Sequence, residues 1–147
     1  MLSLTIDSVT VEQADAYAAS RGRASWVSAP SEPPTAKEAA IRRATDWMAG
    51  EFNSRWLVDF GPDDVPEPVR FAISEAAIRE LAVPGSLAPD YVPAQRVLNR
   101  RVDVISITYA DPKSPDDMLP VMRIIDGLLS GLVKKKSATS VVAVGRA

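Results

Sequence analysis

Residues 35–53 read TAKEAAIRRATDWMAGEFN, and this stretch decides the fold. Ala40, Ile41, Ala44, Trp47, Met48 and Phe52 recur at the three- and four-residue spacing of one helix face. Thr35 followed by Glu38 has the form of a capping box, in which two side chains satisfy free backbone N–H groups at a helix start. The pattern predicts an amphipathic helix from Ala36 to about Asn53, with Gly50 a weak point near its end. One apolar stripe needs others to bury it, and the flanking sequence supplies them.

Upstream, Thr10 and Gln13 make another capping box, opening an Ala-rich helix from Val11 to Arg21 that Gly22 stops. Its stripe is Val11, Ala14 and Ala18, with Tyr17 fitting less neatly. Residues 28–35 hold three prolines and read as a loop. Downstream, Gly61-Pro62 and Pro66 mark a turn-rich connection. A third helix is predicted from about Glu67 to Val83, with Val69, Ala72, Ile73, Ala76, Ala77 and Leu81 along one face. Pro68 suits its first turn, and Pro84-Gly85 ends it.

Beyond an irregular stretch over 84–95 the period changes. Residues 101–109, RVDVISITY, are β-branched and largely alternating, which predicts a strand. A last helix is expected from about Met118 to Val133, with Pro120 in its first turn and Ile124, Ile125, Leu128, Leu129 and Leu132 as its apolar band. After Lys134-Lys135-Lys136 come Val141, Val142 and Val144, strand-forming residues with no evident partner in the chain. The fold class is mainly α: a small bundle of about four helices with a short strand or hairpin. The expected organisation is a helical domain over 1–136 and an extended C-terminal arm over 137–147.

The 147 residues suit a single domain. Cysteine and histidine are both absent, which removes thiolate chemistry, disulfides, the commonest general base and the most frequent transition-metal ligand. The expectation is a non-enzyme without cofactor or metal. With no long apolar run and no signal-like start, a soluble product without membrane contact is expected. Residues 1–93 carry a net −6 and residues 94–147 a net +4. Such a dipole suits head-to-tail stacking or an acidic partner, and chance clustering explains it equally well.

Four groups invite a functional reading. Asp63-Asp64 and Asp116-Asp117 offer oxygen ligands to a hard cation, but each precedes a helix, where carboxylates cap free N–H groups. Trp26, Trp47 and Trp56, with Phe52 and Phe60, could stack bases, although aromatic residues at helical spacing are more often core; Trp56 is the least settled of them. Lys134, Lys135 and Lys136, aided by Arg96, Arg100 and Arg101, could contact DNA phosphates, or else form a solvated charge run at a helix C-terminus. The tail valines Val141, Val142 and Val144, with Arg146, are candidates to dock on a partner's sheet edge, against the alternative of a frayed end.

The order of these motifs resembles a known family. Residues 9–17, VTVEQADAY, are similar to its "(S/T)VEEADAY" opening, and residues 37–47, KEAAIRRATDW, to its "KxxALxxATDY" helix. Val65-Pro66-Glu67-Pro68-Val69-Arg70-Phe71-Ala72, Glu80-Leu81-Ala82, a basic segment leading to a strand that ends in Tyr109, and Ile125-Asp126-Gly127-Leu128-Leu129 follow in the same order. The family is the head–tail adaptor group of tailed phages and gene transfer agents, also called connector or head-completion proteins. Some members carry a DnaT-like single-stranded-DNA-binding label. The resemblance spans nearly the whole chain. One departure is that Arg55 to Gly61 forms a shortened substitute for a longer segment ending in WPR.

The resemblance implies a structural protein of the virion neck, made in the host cytoplasm. It would form a twelve-fold ring with copies of itself beneath the portal protein and dock to the portal through its C-terminal arm. Its lower face would receive a stopper or tail-completion protein while double-stranded DNA passes non-specifically through the lumen. The alternative is a single-stranded-DNA-binding module.

Overall fold

A computed structural model of the chain describes residues 1–5, 7–30, 35–90, 99–102, 104–108 and 119–136. Five helices and one hairpin follow in the order α1 (Val11–Ser20), α2 (Ala24–Val27), α3 (Thr35–Phe52), α4 (Glu67–Ala82), β1 (Asn99–Val102), β2 (Ile105–Thr108) and α5 (Arg123–Leu128). The fold is a mainly α bundle with a short antiparallel hairpin, as the sequence indicates.

Helix α1 starts as its sequence requires. Thr10 Oγ1 accepts from the Gln13 backbone N–H at 3.2 Å, and Gln13 Oε1 accepts from the Thr10 N–H at 3.1 Å. It ends at Gly22, whose φ of 63° lies in the left-handed region that glycine adopts without a Cβ clash. The single turn of α2 follows at once and buries Trp26 completely. Sequence periodicity does not reveal so short a helix, because four residues hold barely one period. Thr35 is the first residue of α3, and the capping box expected of Thr35 with Glu38 falls outside what the described residues show.

Helix α4 is the centre of the molecule. It packs against α1, α2, α3 and α5, and every residue from Ala72 to Ile78 is buried. The expected face of Val69, Ala72, Ile73, Ala76 and Ala77 is buried, with Leu81 half-buried, but so are Ser74, Glu75, Ile78 and Glu80 on the other sides. A helix with partners on most sides keeps little solvent face, and this one buries its glutamates by pairing them. Against it α3 sets Ala40, Ile41, Ala44 and Met48; the two small alanines let the backbones approach closely, and Ile41 and Met48 fill the space beside them.

Three expectations change. Helix α5 covers Arg123–Leu128, far less than Met118 to Val133. Residues 119–122 are non-helical, with Pro120 among them, and turns at 129–132 include Gly131 at φ 84°. Of the expected band, Ile125 and Leu129 are fully buried, while Ile124 is exposed. The strand read over 101–109 is a hairpin, in which Val102 pairs with Ile105 and Asn99 with Thr108. Alternation continues through both strands, so the period alone does not mark the reversal. Finally, Asp63 and Asp64 do not cap α4: its N-cap is Pro66, with no side-chain cap hydrogen bond. Asp116 and Asp117 lie outside the described residues.

Candidate partner-binding groove and arm root

Where α3 ends, the chain turns back on the last described segment. Trp56 and Val133 form an antiparallel bridge, flanked by hydrogen bonds from the Leu57 N–H to the Leu132 carbonyl at 2.9 Å and from the Lys134 N–H to the Arg55 carbonyl at 2.8 Å. The Arg55 guanidinium reinforces it, donating from Nε and Nη2 to the Lys134 carbonyl at 2.9 and 2.8 Å. Glu51, one turn earlier on α3, accepts Lys136 Nζ at 2.6 Å and lies 3.7 Å from Arg55 Nη1. Residues 133–136 are thus held to the helical body by backbone and side chain alike.

The N-terminus braces the same corner. Asn53 Oδ1 accepts from the Leu2 N–H at 3.0 Å and from Trp56 Nε1 at 2.9 Å, and Asn53 Nδ2 donates to the Leu2 carbonyl at 2.8 Å. The Met1 ammonium donates to the Phe60 carbonyl at 2.6 Å. Behind these contacts runs a row of rings, Trp47, Phe52, Trp56 and Phe60, with successive centroids 5.1–6.0 Å apart. Trp56, the least settled ring in the sequence, is half-buried and has its indole N–H satisfied.

A groove of about 530 Å³ opens beside this corner. Trp47, Phe52, Leu87, Met122 and Val133 give it an apolar floor; Glu51, Asp126, Lys135 and Lys136 add charge. An extended apolar segment with a few polar groups matches such a lining. No group of three or more metal-ligating side chains occurs among the described residues.

The sequence-derived candidates fall as follows. Lys134, Lys135 and Lys136 are all exposed, but they do not flank a helix C-terminus: α5 ends at Leu128, and the lysines extend from the bridge instead. Arg100 and Arg101 lie on β1, paired with Ile107 and Ser106. Among the described elements the hairpin strands pack only on each other. Val141, Val142, Val144, Arg146 and Arg96 lie outside the described residues. Sequence reading missed Glu51, Asn53 and Arg55 as anchors. Their only signal was a polar cluster at the end of a helix, which commonly means solvent.

The model of a family described as "Putative DnaT-like ssDNA binding protein" matches residues 56–147. The chain belongs to this family. No curated protein and no solved structure matches it. The DnaT-like family region opens at Trp56, on the bridge itself, and takes in α4, the hairpin, α5 and the lysine segment. Helices α1 to α3 precede it.

Proposed function

We propose that this chain is a head–tail adaptor of a tailed phage or gene transfer agent: a structural, non-catalytic part of the virion neck. Copies assemble as a ring under the portal protein, residues 137–147 dock on the portal, and the opposite face receives the stopper or tail-completion protein while double-stranded DNA passes through the lumen. The observation that carries this reading is the fixed root of the arm. Residues 132–136 are tied to residues 51–57 by the two backbone hydrogen bonds of the Trp56–Val133 bridge and by Arg55 and Glu51. A docking arm transmits its hold to the body only through such a root, and fixing the root lowers the ordering entropy that binding must offset. The sequence resemblance and the apolar, valine-bearing tail support the same reading.

A second reading, single-stranded-DNA binding, is favoured by the family description and by exposed Lys134 and Lys135. The geometry favours it less. Stacking needs free ring faces, whereas Phe52 is buried and Trp47, Trp56 and Phe60 pack against one another and the core. Lys136 is neutralised by Glu51.

One experiment separates the two. The full chain is titrated against the portal protein of its own genome, and separately against a fluorescent single-stranded oligonucleotide at low and physiological salt. Portal binding that persists at physiological salt, with oligonucleotide binding weak and lost there, is the expected result. Tight oligonucleotide binding without portal binding would reverse the assignment.

A further inference from the structure

Two poles of opposite charge lie apart from the Trp56–Val133 bridge. At the first, Arg23 Nη2 lies 2.7 Å and Arg79 Nη2 3.7 Å from Glu75 Oε1, and Arg21 stacks on Tyr17, whose hydroxyl donates to Glu75. Two guanidinium groups thus share one carboxylate, and a third, Arg21, lies beside them on the ring of Tyr17, which leaves an excess of positive charge among the described residues. The Nε atoms of Arg23 and Arg79 have no hydrogen-bond partner among the described residues. Val27 and Val83, each one turn beyond one of these arginines, are 57% and 61% exposed.

At the second pole the pattern is repeated with the sign reversed. Asp59, Asp63, Asp64 and Glu67 are exposed and take part in no ion pair among the described residues. Leu57 and Val58 beside them are exposed as well. Glu67 and Arg79 stand twelve residues apart on α4, about 18 Å along its axis, so neither Asp63 nor Asp64 reaches Arg79 in its own chain.

We propose that copies of this chain bind one another head to tail, the pole of Arg23 and Arg79 in one copy facing the loop of Asp63 and Asp64 in the next. Charge complementarity chooses the partner, since among the described residues each pole lacks the counter-charge that the other carries in excess. The valines of one pole and Leu57 and Val58 of the other supply the apolar contact that exposed ion pairs alone do not. Because the two surfaces differ, the contact is heterologous and generates a ring when its rotation closes. The inference rests on the ring reading above and gives the ring its subunit contact.

Sedimentation velocity of the full chain over a range of concentration and salt tests it. The wild-type chain self-associates, less so as salt rises. The double variant Asp63→Lys/Asp64→Lys keeps the wild-type melting curve, because neither side chain has an ion-pair partner among the described residues, and its self-association weakens by at least about tenfold. Arg79→Glu is monomeric in the same way. Mixed together, the two variants associate again, since each retains the pole the other has lost. Undiminished assembly of the double-lysine variant overturns the proposal, as does a wild-type chain that stays monomeric throughout. Should Arg79→Glu fail to fold, the double-lysine variant alone decides. Portal binding is measured in parallel. If the wild-type chain binds the portal while the double-lysine variant assembles unchanged, only this interface falls. If assembly is lost in the variant but the wild-type chain never binds the portal, only the portal reading falls.

Discussion

The hydroxyl of Tyr17 donates to Oε2 of Glu75 at 3.0 Å, joining α1 to the middle of α4 across 58 residues of chain. Glu75 is 1% exposed, and its other oxygen is met by Arg23 and Arg79. A buried carboxylate is tolerated here only because each oxygen has a donor. Burial, then the charge and hydrogen bond of Glu75, raise the Tyr17 phenol above its ordinary value of 10.0. The folded state therefore prefers the protonated phenol. Its contribution to stability is complete below the ordinary value and is lost as pH rises through the raised one. Chemical denaturation should show stability falling on the alkaline side. Tyr17→Phe should cost about 1 kcal/mol near neutral pH and flatten part of that fall. An unchanged alkaline slope in the variant would show that Tyr17 does not carry it.

Trp26 fixes the turn of α2 in the core. Its ring is wholly buried, Nε1 donates to Asp15 Oδ1 at 2.7 Å, and Lys37 Nζ lies 5.3 Å from its centroid while pairing with the same aspartate. Trp26→Ala should cost about 3–5 kcal/mol in urea unfolding, with Trp26→Phe less damaging because it refills most of the volume. Equal losses from both would make the indole hydrogen bond, rather than volume, the deciding term.

Arg55 should control local rather than global stability. Arg55→Ala removes two charge-assisted hydrogen bonds to the Lys134 carbonyl, worth about 1–3 kcal/mol together at this partly exposed position. Amide exchange at Leu57 and Lys134 should accelerate while α4 keeps its protection. Unaltered exchange at those two amides would mean that the backbone bridge alone holds the segment.

Lys134→Gln with Lys135→Gln bears on nucleic acid only. Any oligonucleotide binding should weaken evenly across sequences, and its salt dependence should fall by up to about two charges, with portal binding unaffected. A loss of portal binding in this variant would place the lysines in the docking surface instead.

The bundle was legible in the sequence where periodicity is long. Thr10 and Gln13 marked the start of α1, and Ala40, Ile41, Ala44 and Met48 marked the buried face of α3. Helix α4 was found, but its central position was not. Glu75 and Glu80 look like solvent-facing residues until Arg23 and Arg43, distant in sequence, are brought to them by the fold, with Arg79 one turn along α4 from Glu75. Helix α5 was overextended because Leu128, Leu129 and Leu132 keep helical spacing while turns at 129–132, with Gly131 at positive φ, break the helix that spacing suggests. The arm root was not legible, since a single bridged pair, Trp56 with Val133, carries no period to detect.

Removal of residues 137–147 is the most direct test of a portal-docking arm. The truncated chain retains the bridge, the Arg55 contacts and the whole bundle, so its thermal melt should match that of the full chain. In co-sedimentation with the portal protein, the full chain should pellet with the portal and the truncated chain should stay in the supernatant. A truncated chain that pellets as well as the full one would contradict the account.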